Sequence, residues 1–159
     1  MQTLNLINFI DLTLKEKEMV LKWRNHPKIK RWMHNSNDIT LENHLAFIDS
    51  LKNSSDQLYF LLKQEDNYLG VIDFKNILSK TSEFGLYANI ELKGVGNNLL
   101  DSVCKYGFNI LQLDILRAEV YEENEKAIKL YKKFYFKETN KKTINNKVVI
   151  CMELKNENR

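Results

Sequence analysis

Two of the chain's five glycines stand either side of Val95, in Lys93-Gly94-Val95-Gly96-Asn97, and only one proline, Pro27, occurs anywhere. In a chain so poor in both residues, a glycine pair marks a demand on the backbone. The residues before it, 83–88, read as a strand, and those after it carry Leu99, Leu100, Val103, Tyr106, Gly107 and Ile110 at helical spacing. Residues 113–121 read as a strand again. This predicts a strand–helix–strand crossover near the middle of the chain. Glycines at such a turn let the backbone approach a ligand closely, and the first free N–H groups of the helix favour an anion, a pyrophosphate above all. A plain turn that needs small residues for packing stays open. No Gly-Lys-Ser/Thr follows, so this is not a Walker loop, and the third glycine of a dinucleotide fingerprint is missing.

Around that crossover the chain alternates helices and strands. Residues 4–10 read as a first strand and residues 13–33 as helix, broken at Asn25-His26-Pro27 because a residue before proline avoids the helical region. Thr40, with Asn43 downstream, opens a helix whose expected apolar face is Leu41, Leu45, Ile48 and Leu51. Residues 58–62 and 68–74 form a hairpin over Gln64-Glu65-Asp66-Asn67. Residues 123–135 read as helix, and two short strands close the chain around Asn145-Asn146. The expected fold is α/β in the α+β sense: a mixed, mostly antiparallel sheet of about seven strands flanked by about four helices. It spans residues 1–159 as a single domain.

Composition excludes several alternatives. At 43% hydrophobic and 28% charged residues the chain is ordinary for a globular protein, and a chain of this size buries roughly 70% of its surface. No apolar run is long enough to span a membrane, and Met1-Gln2-Thr3-Leu4-Asn5 has no basic n-region before an apolar stretch. No membrane partner is expected, and the cytoplasm is the expected compartment. Cys104 and Cys151 stand far apart with no metal-ligand spacing, so reduced thiols and no metal are expected. The net charge of +3 comes mostly from lysines scattered singly among acids, not from a phosphate-tracking stripe, so no nucleic-acid partner is expected.

Asn124 and Tyr131 lie on one face of the last predicted helix, about 10 Å apart along its axis. Read alone, they are a helix cap and a core residue. With the glycine loop, the arrangement resembles the GCN5-related N-acetyltransferase superfamily, whose cofactor motif is Gln/Arg-x-x-Gly-x-Gly/Ala. Here the stretch reads Glu91-Leu92-Lys93-Gly94-Val95-Gly96, with Glu91 where Gln or Arg is usual. The resemblance implies acetyl-CoA as cosubstrate. Its pyrophosphate would lie on the amides of Lys93, Gly94, Val95, Gly96 and Asn97, and its pantetheine arm along Leu86, Tyr87 and Ala88. Asn124 would contact the cofactor, and Tyr131 would stand near the sulfur as general acid.

A narrower resemblance runs from about residue 15 to 154, through Trp23-Arg24-Asn25-His26-Pro27, Gly70-Val71-Ile72-Asp73-Phe74, Ser82-Glu83-Phe84-Gly85-Leu86-Tyr87 and Lys126-Ala127-Ile128-Lys129-Leu130-Tyr131. These segments resemble the acetyltransferases of pseudaminic acid biosynthesis. That family acetylates the 4-amino group of UDP-4-amino-4,6-dideoxy-N-acetyl-β-L-altrosamine, on the way to the sugar that decorates flagellin. The resemblance implies a UDP-amino-sugar pocket of Arg24, His26, Met33, His34, Phe47 and Tyr87, and His44, bordering the apolar face of its helix, is a further candidate for substrate contact. Transfer from thioester to amine needs a proton acceptor, for which Glu83, His44 and a water chain are the alternatives. Cys104 has nothing beside it in sequence to lower its pKa, which favours direct transfer in a ternary complex. Acetylation of protein N-termini and a non-catalytic acetyl-CoA-binding module are the competing functions, and a homodimer through the last strands is compatible with the sequence.

Overall fold

A computed structural model describes residues 4–158. Strands β1 (Leu4–Asn8), β2 (Leu58–Gln64), β3 (Asn67–Leu78), β4 (Thr81–Ala88), β5 (Ile115–Tyr121), β6 (Lys137–Ile144) and β7 (Lys147–Lys155) make one sheet in the order β1-β2-β3-β4-β5-β7-β6. All neighbours are antiparallel except β4 and β5. Helices α1 (Leu14–Asn25), α2 (Pro27–Lys30) and α3 (Leu41–Ser50) lie between β1 and β2 in sequence. Helix α4 (Gly96–Lys105) makes the crossover from β4 to β5, and α5 (Glu125–Lys133) joins β5 to β6.

The sheet separates two apolar layers. On one face Phe74, Phe84, Leu99, Leu100, Val103, Leu116, Tyr131 and Met152 pack under α4 and α5. On the other, Val20, Trp23, Ile48, Leu61 and Val71 pack under α1 and α3. Helix α1 begins at a capping box, with the Glu16 N–H donating to Thr13 Oγ1 (3.2 Å) and the Thr13 N–H donating to Glu16 Oε1 (3.0 Å). Such a cap stabilises a helix by about 1 kcal/mol. The Tyr68 hydroxyl donates to the other Glu16 oxygen at 2.8 Å, fixing α1 over β3.

Several expectations shift. The first strand stops at Asn8, and a 3-10 turn over Phe9–Asp11 follows. In α3 the buried side is His44 and Ile48, with Leu51 in the 3-10 turn beyond. Leu41, on the first turn, is exposed, because the helix meets the sheet through its later turns. Ile110 is 65% exposed because α4 runs into a π-turn over Tyr106–Ile110, whose extra residue rotates the following side chains off the helical stripe. The last two strands are long. They turn on Asn145 and Asn146, both left-handed (φ 54° and 61°), as a two-residue hairpin with the right twist requires.

Candidate active site

The parallel partners β4 and β5 are joined only at one end, where Thr81, Ser82 and Glu83 pair with Ile115, Leu116 and Arg117. Beyond Glu83 the strands part, and residues 84–88 of β4 have no pairing on that side while β3 continues to pair on the other. Strand amides left without a strand partner on that side are donors available to a ligand. At the open end the chain turns through Gly94, which holds φ +76° with nothing within 4 Å of where a Cβ would stand. That conformation, rather than crowding, is what requires glycine. Helix α4 then starts at Gly96 with no side-chain cap, so its first N–H groups have no intrachain cap. Asn97, on the first turn, accepts a hydrogen bond from Lys133 Nζ (3.3 Å), which ties α4 to α5. Lys93 and Glu91 are exposed.

Leu86 and Ala88 pack with the α4–α5 layer, whereas Glu83, Gly85 and Tyr87 alternate toward α1 and α3. Tyr131 lies on the α5 side, 7% exposed, its ring edge-on to Phe84 at 5.5 Å and beside Phe136. Burial first, and then the Asp73 carboxylate, push its phenol above the ordinary range, so it keeps its proton. Asn124 is the N-cap of α5, its Oδ1 accepting the Ala127 N–H at 3.4 Å. A cavity of about 670 Å³ begins beside Asn97 and Asn98 and runs past Lys133 and Tyr135; its walls include neither Tyr131 nor any residue of β4.

On the α1–α3 side, Arg24 Nη2 donates to the Asn35 carbonyl at 2.5 Å, while Nη1 is buried with no partner. Asn25 holds the same segment by bonding both N–H and C=O of Ile39 at 2.8 Å. Met33 is half-buried there. His34 is held by β5: its Nε2 lies 3.1 Å from Glu119 and its ring is edge-on to Tyr121. Burial works to raise Glu119, but hydrogen bonds from Lys142 and His34 outweigh it and hold the carboxylate low. Phe47 stacks edge-on against Tyr59 at 5.0 Å. His26 caps α2, its Nδ1 accepting the Lys28 N–H. His44 is buried, with Nε2 donating to the Lys17 carbonyl at 2.9 Å, and burial lowers its pKa. So placed, it fastens α3 to α1. Glu83 accepts a hydrogen bond from Asn76 at 2.8 Å and sits at the closed end of the seam.

Sequence reasoning assigned no role to Asp73 or Tyr59. Both face this side of the sheet, paired across β2 and β3, and the tyrosine is buried enough to stay protonated. The available signal was an aspartate in the apolar strand run Val71-Ile72-Asp73-Phe74, since aspartate is scarce in strands and seldom fully buried.

Residues 7–137 match the acetyltransferase (GNAT) domain family, and the chain belongs to it. It is 46% identical over 133 residues, 84% of each chain, to the acetyltransferase PseH of Campylobacter jejuni serotype O:2, and 44% identical over the same share to PseH of serotype O:23/36. The crystal structure of C. jejuni N-acetyltransferase PseH in complex with acetyl coenzyme A superposes with a TM-score of 0.81 at 37% identity, covering 96% of this chain and 99% of that one. Spermidine N-acetyltransferase from Vibrio cholerae, in complex with CoA and spermine, reaches a TM-score of 0.87 at 20% identity, over 98% of this chain and 96% of that one, and shares the fold. Among the described residues no cluster of His, Cys, Asp or Glu is placed to hold a metal, and no helix is long and apolar enough to cross a membrane.

Proposed function

We propose that this acetyltransferase moves the acetyl group of acetyl-CoA to the 4-amino group of a UDP-linked amino sugar, UDP-4-amino-4,6-dideoxy-N-acetyl-β-L-altrosamine, in pseudaminic acid biosynthesis. The observation that carries the reading is the β4–β5 seam, open from Phe84 onward between the uncapped start of α4 and the unpartnered guanidinium nitrogen of Arg24. A cosubstrate with a pyrophosphate at one end and an amide-rich arm suits the first half of that arrangement. Amides of residues 93–97 receive the pyrophosphate, and strand residues Leu86, Tyr87 and Ala88 pair with the arm. A free strand amide at Leu86 or Tyr87 then faces the thioester oxygen as charge develops on it. Tyr131, protonated by its burial, gives its proton to the departing sulfur.

The acceptor enters from the opposite face. Arg24 supplies a cation for the diphosphate, its free Nη1 being the contact. Tyr87 and Phe47 offer aromatic surface, and Met33, His34 and His26 line the segment that α1 holds in place. Attack is direct, in a ternary complex. The test mixes purified protein with acetyl-CoA and the amino sugar nucleotide and follows thiol release and product mass. Thiol release matched by a one-acetyl gain on the sugar nucleotide is the expected result. Acetyl-CoA binding without turnover of the sugar, or faster turnover of peptide N-termini, overturns the acceptor assignment.

A further inference from the structure

Asp73 is one of two residues in the described chain with a buried side-chain polar atom that lacks a hydrogen-bond partner; the other is Arg24, on the same face of the sheet. The carboxylate is 5% exposed. Its Oδ2 faces the Gly85 backbone, Oδ1 has no partner, and no lysine, arginine or histidine forms an ion pair with it among the described residues. A buried acceptor without a donor costs free energy, so a persistent one calls for an occupant. The location says which. Asp73 stands across the strand pair from Gly85, just beyond Glu83, where β4 and β5 part. Tyr59 is its neighbour on β2, and Tyr87 lies next along β4 on the same side. Both are close enough for the carboxylate to raise their pKa values, as it does that of Tyr131.

We propose that Asp73 is the carboxylate that receives the acceptor's amine, in a subsite floored by Gly85 and bordered by Tyr59 and Tyr87. The assignment rests on the amine-acetylating reading above and replaces Glu83 and His44 as the proton acceptor. An ammonium is the donor that Oδ1 lacks, and its positive charge compensates the buried anion. It gives its first proton to Oδ1, and the freed lone pair forms the C–N bond to the thioester carbon. As the C–S bond breaks, the sulfur takes the Tyr131 proton, and the second proton lost by nitrogen restores that phenol. Asp73 finally releases its proton to water, so amide, thiol and one proton result. The charges felt at the carboxylate come from Lys75 on its own strand and Glu83 on β4, and the carboxylate in turn acts on Tyr87 on β4, on Tyr59 on β2 and, from the other face of the sheet, on Tyr131 of α5. Burial raises its own pKa, opposed by Lys75 and a Gly85 backbone hydrogen bond, which makes it the stronger base.

The experiment compares wild type with Asp73→Asn and Asp73→Ala, using the amino sugar nucleotide and its 4-hydroxy counterpart as acceptor-site probes. Asp73→Asn is expected to keep acetyl-CoA affinity, to lose roughly 10²–10⁴-fold in kcat, to lose the acidic limb of the pH–rate profile, and to bind the amine no better than the hydroxyl analogue. Formate is expected to restore part of the activity of Asp73→Ala. Retention of kcat within about threefold overturns the proposal. So does lost activity with an unchanged acidic limb and an unchanged preference for amine over hydroxyl, or an Asp73→Ala protein that binds acetyl-CoA and ignores formate. A wild type that leaves the amino sugar untouched removes the acceptor reading and this assignment together.

Discussion

A Cβ on Gly85 would stand 2.8 Å from Oδ2 of Asp73, so the carboxylate on β3 keeps its position because its partner on β4 has no side chain. The relationship is steric and local. Gly85→Ala is expected to cost about 1–3 kcal/mol in urea unfolding, as overpacking does, and to lower kcat by displacing the carboxylate. Acetyl-CoA affinity, measured by titration calorimetry, is expected to change less than kcat.

Tyr131→Phe keeps the ring against Phe84 and Phe136 and removes only the hydroxyl. Turnover is expected to fall roughly 10²-fold, with the KM for acetyl-CoA little altered. A poorer leaving group than CoA sharpens the loss, which thioester analogues of graded thiol acidity measure.

Arg24 has one nitrogen engaged by Asn35 and one free. Arg24→Lys keeps the charge and loses the fork, and the KM for the sugar nucleotide is expected to rise about tenfold, with Arg24→Met worse at about a hundredfold. The KM for acetyl-CoA serves as the internal control.

His44 titrates below its ordinary range in the folded chain because burial opposes its charge, while the Lys17 carbonyl works the other way. The unfolded ring, near pKa 6.5, binds a proton that the folded ring resists. Stability from this residue is therefore complete above about pH 6.5 and is lost as pH falls from there toward the folded value. Urea unfolding at a series of pH values is expected to show that slope in the wild type and a flatter one in His44→Gln.

Tyr135 ends α5 in the left-handed region (φ 72°), with the Phe136 N–H reaching back to the Tyr131 carbonyl. That is the position glycine favours after a helix, and the tyrosine is 68% exposed. Tyr135→Gly is expected to stabilise the protein by about 1 kcal/mol, read as a raised urea midpoint.

The order of elements was readable because each boundary carries its own chemistry: Pro27 after the first helix, Thr40 at the start of another, Gly94 at the crossover, Asn145-Asn146 at the last hairpin. Periodicity failed where something nonlocal intervened. Ile110 fits a continuous helical stripe, but the π-turn over Tyr106–Ile110 answers to packing around Phe108 and Gly107. Asp73 stood out as an aspartate in an apolar strand run, but its role was illegible for a related reason. Its meaning depends on Gly85 across the strand pair and on Tyr59 from β2, and a register between distant strands leaves no mark in either segment. His44 shows the converse: an imidazole near an apolar stripe suggests chemistry, and only the fold reveals that its Nε2 is held by the Lys17 carbonyl.

The short β4–β5 seam has a consequence for how the molecule reports on itself. The sheet is two sub-sheets stapled at one end, with residues 84–88 of β4 unpaired on the β5 side. Amides of residues 84–88 that look into the gap are therefore a built-in gauge. Their deuterium uptake is expected to be fast in the free protein, and acetyl-CoA is expected to slow it over whatever stretch it pairs with.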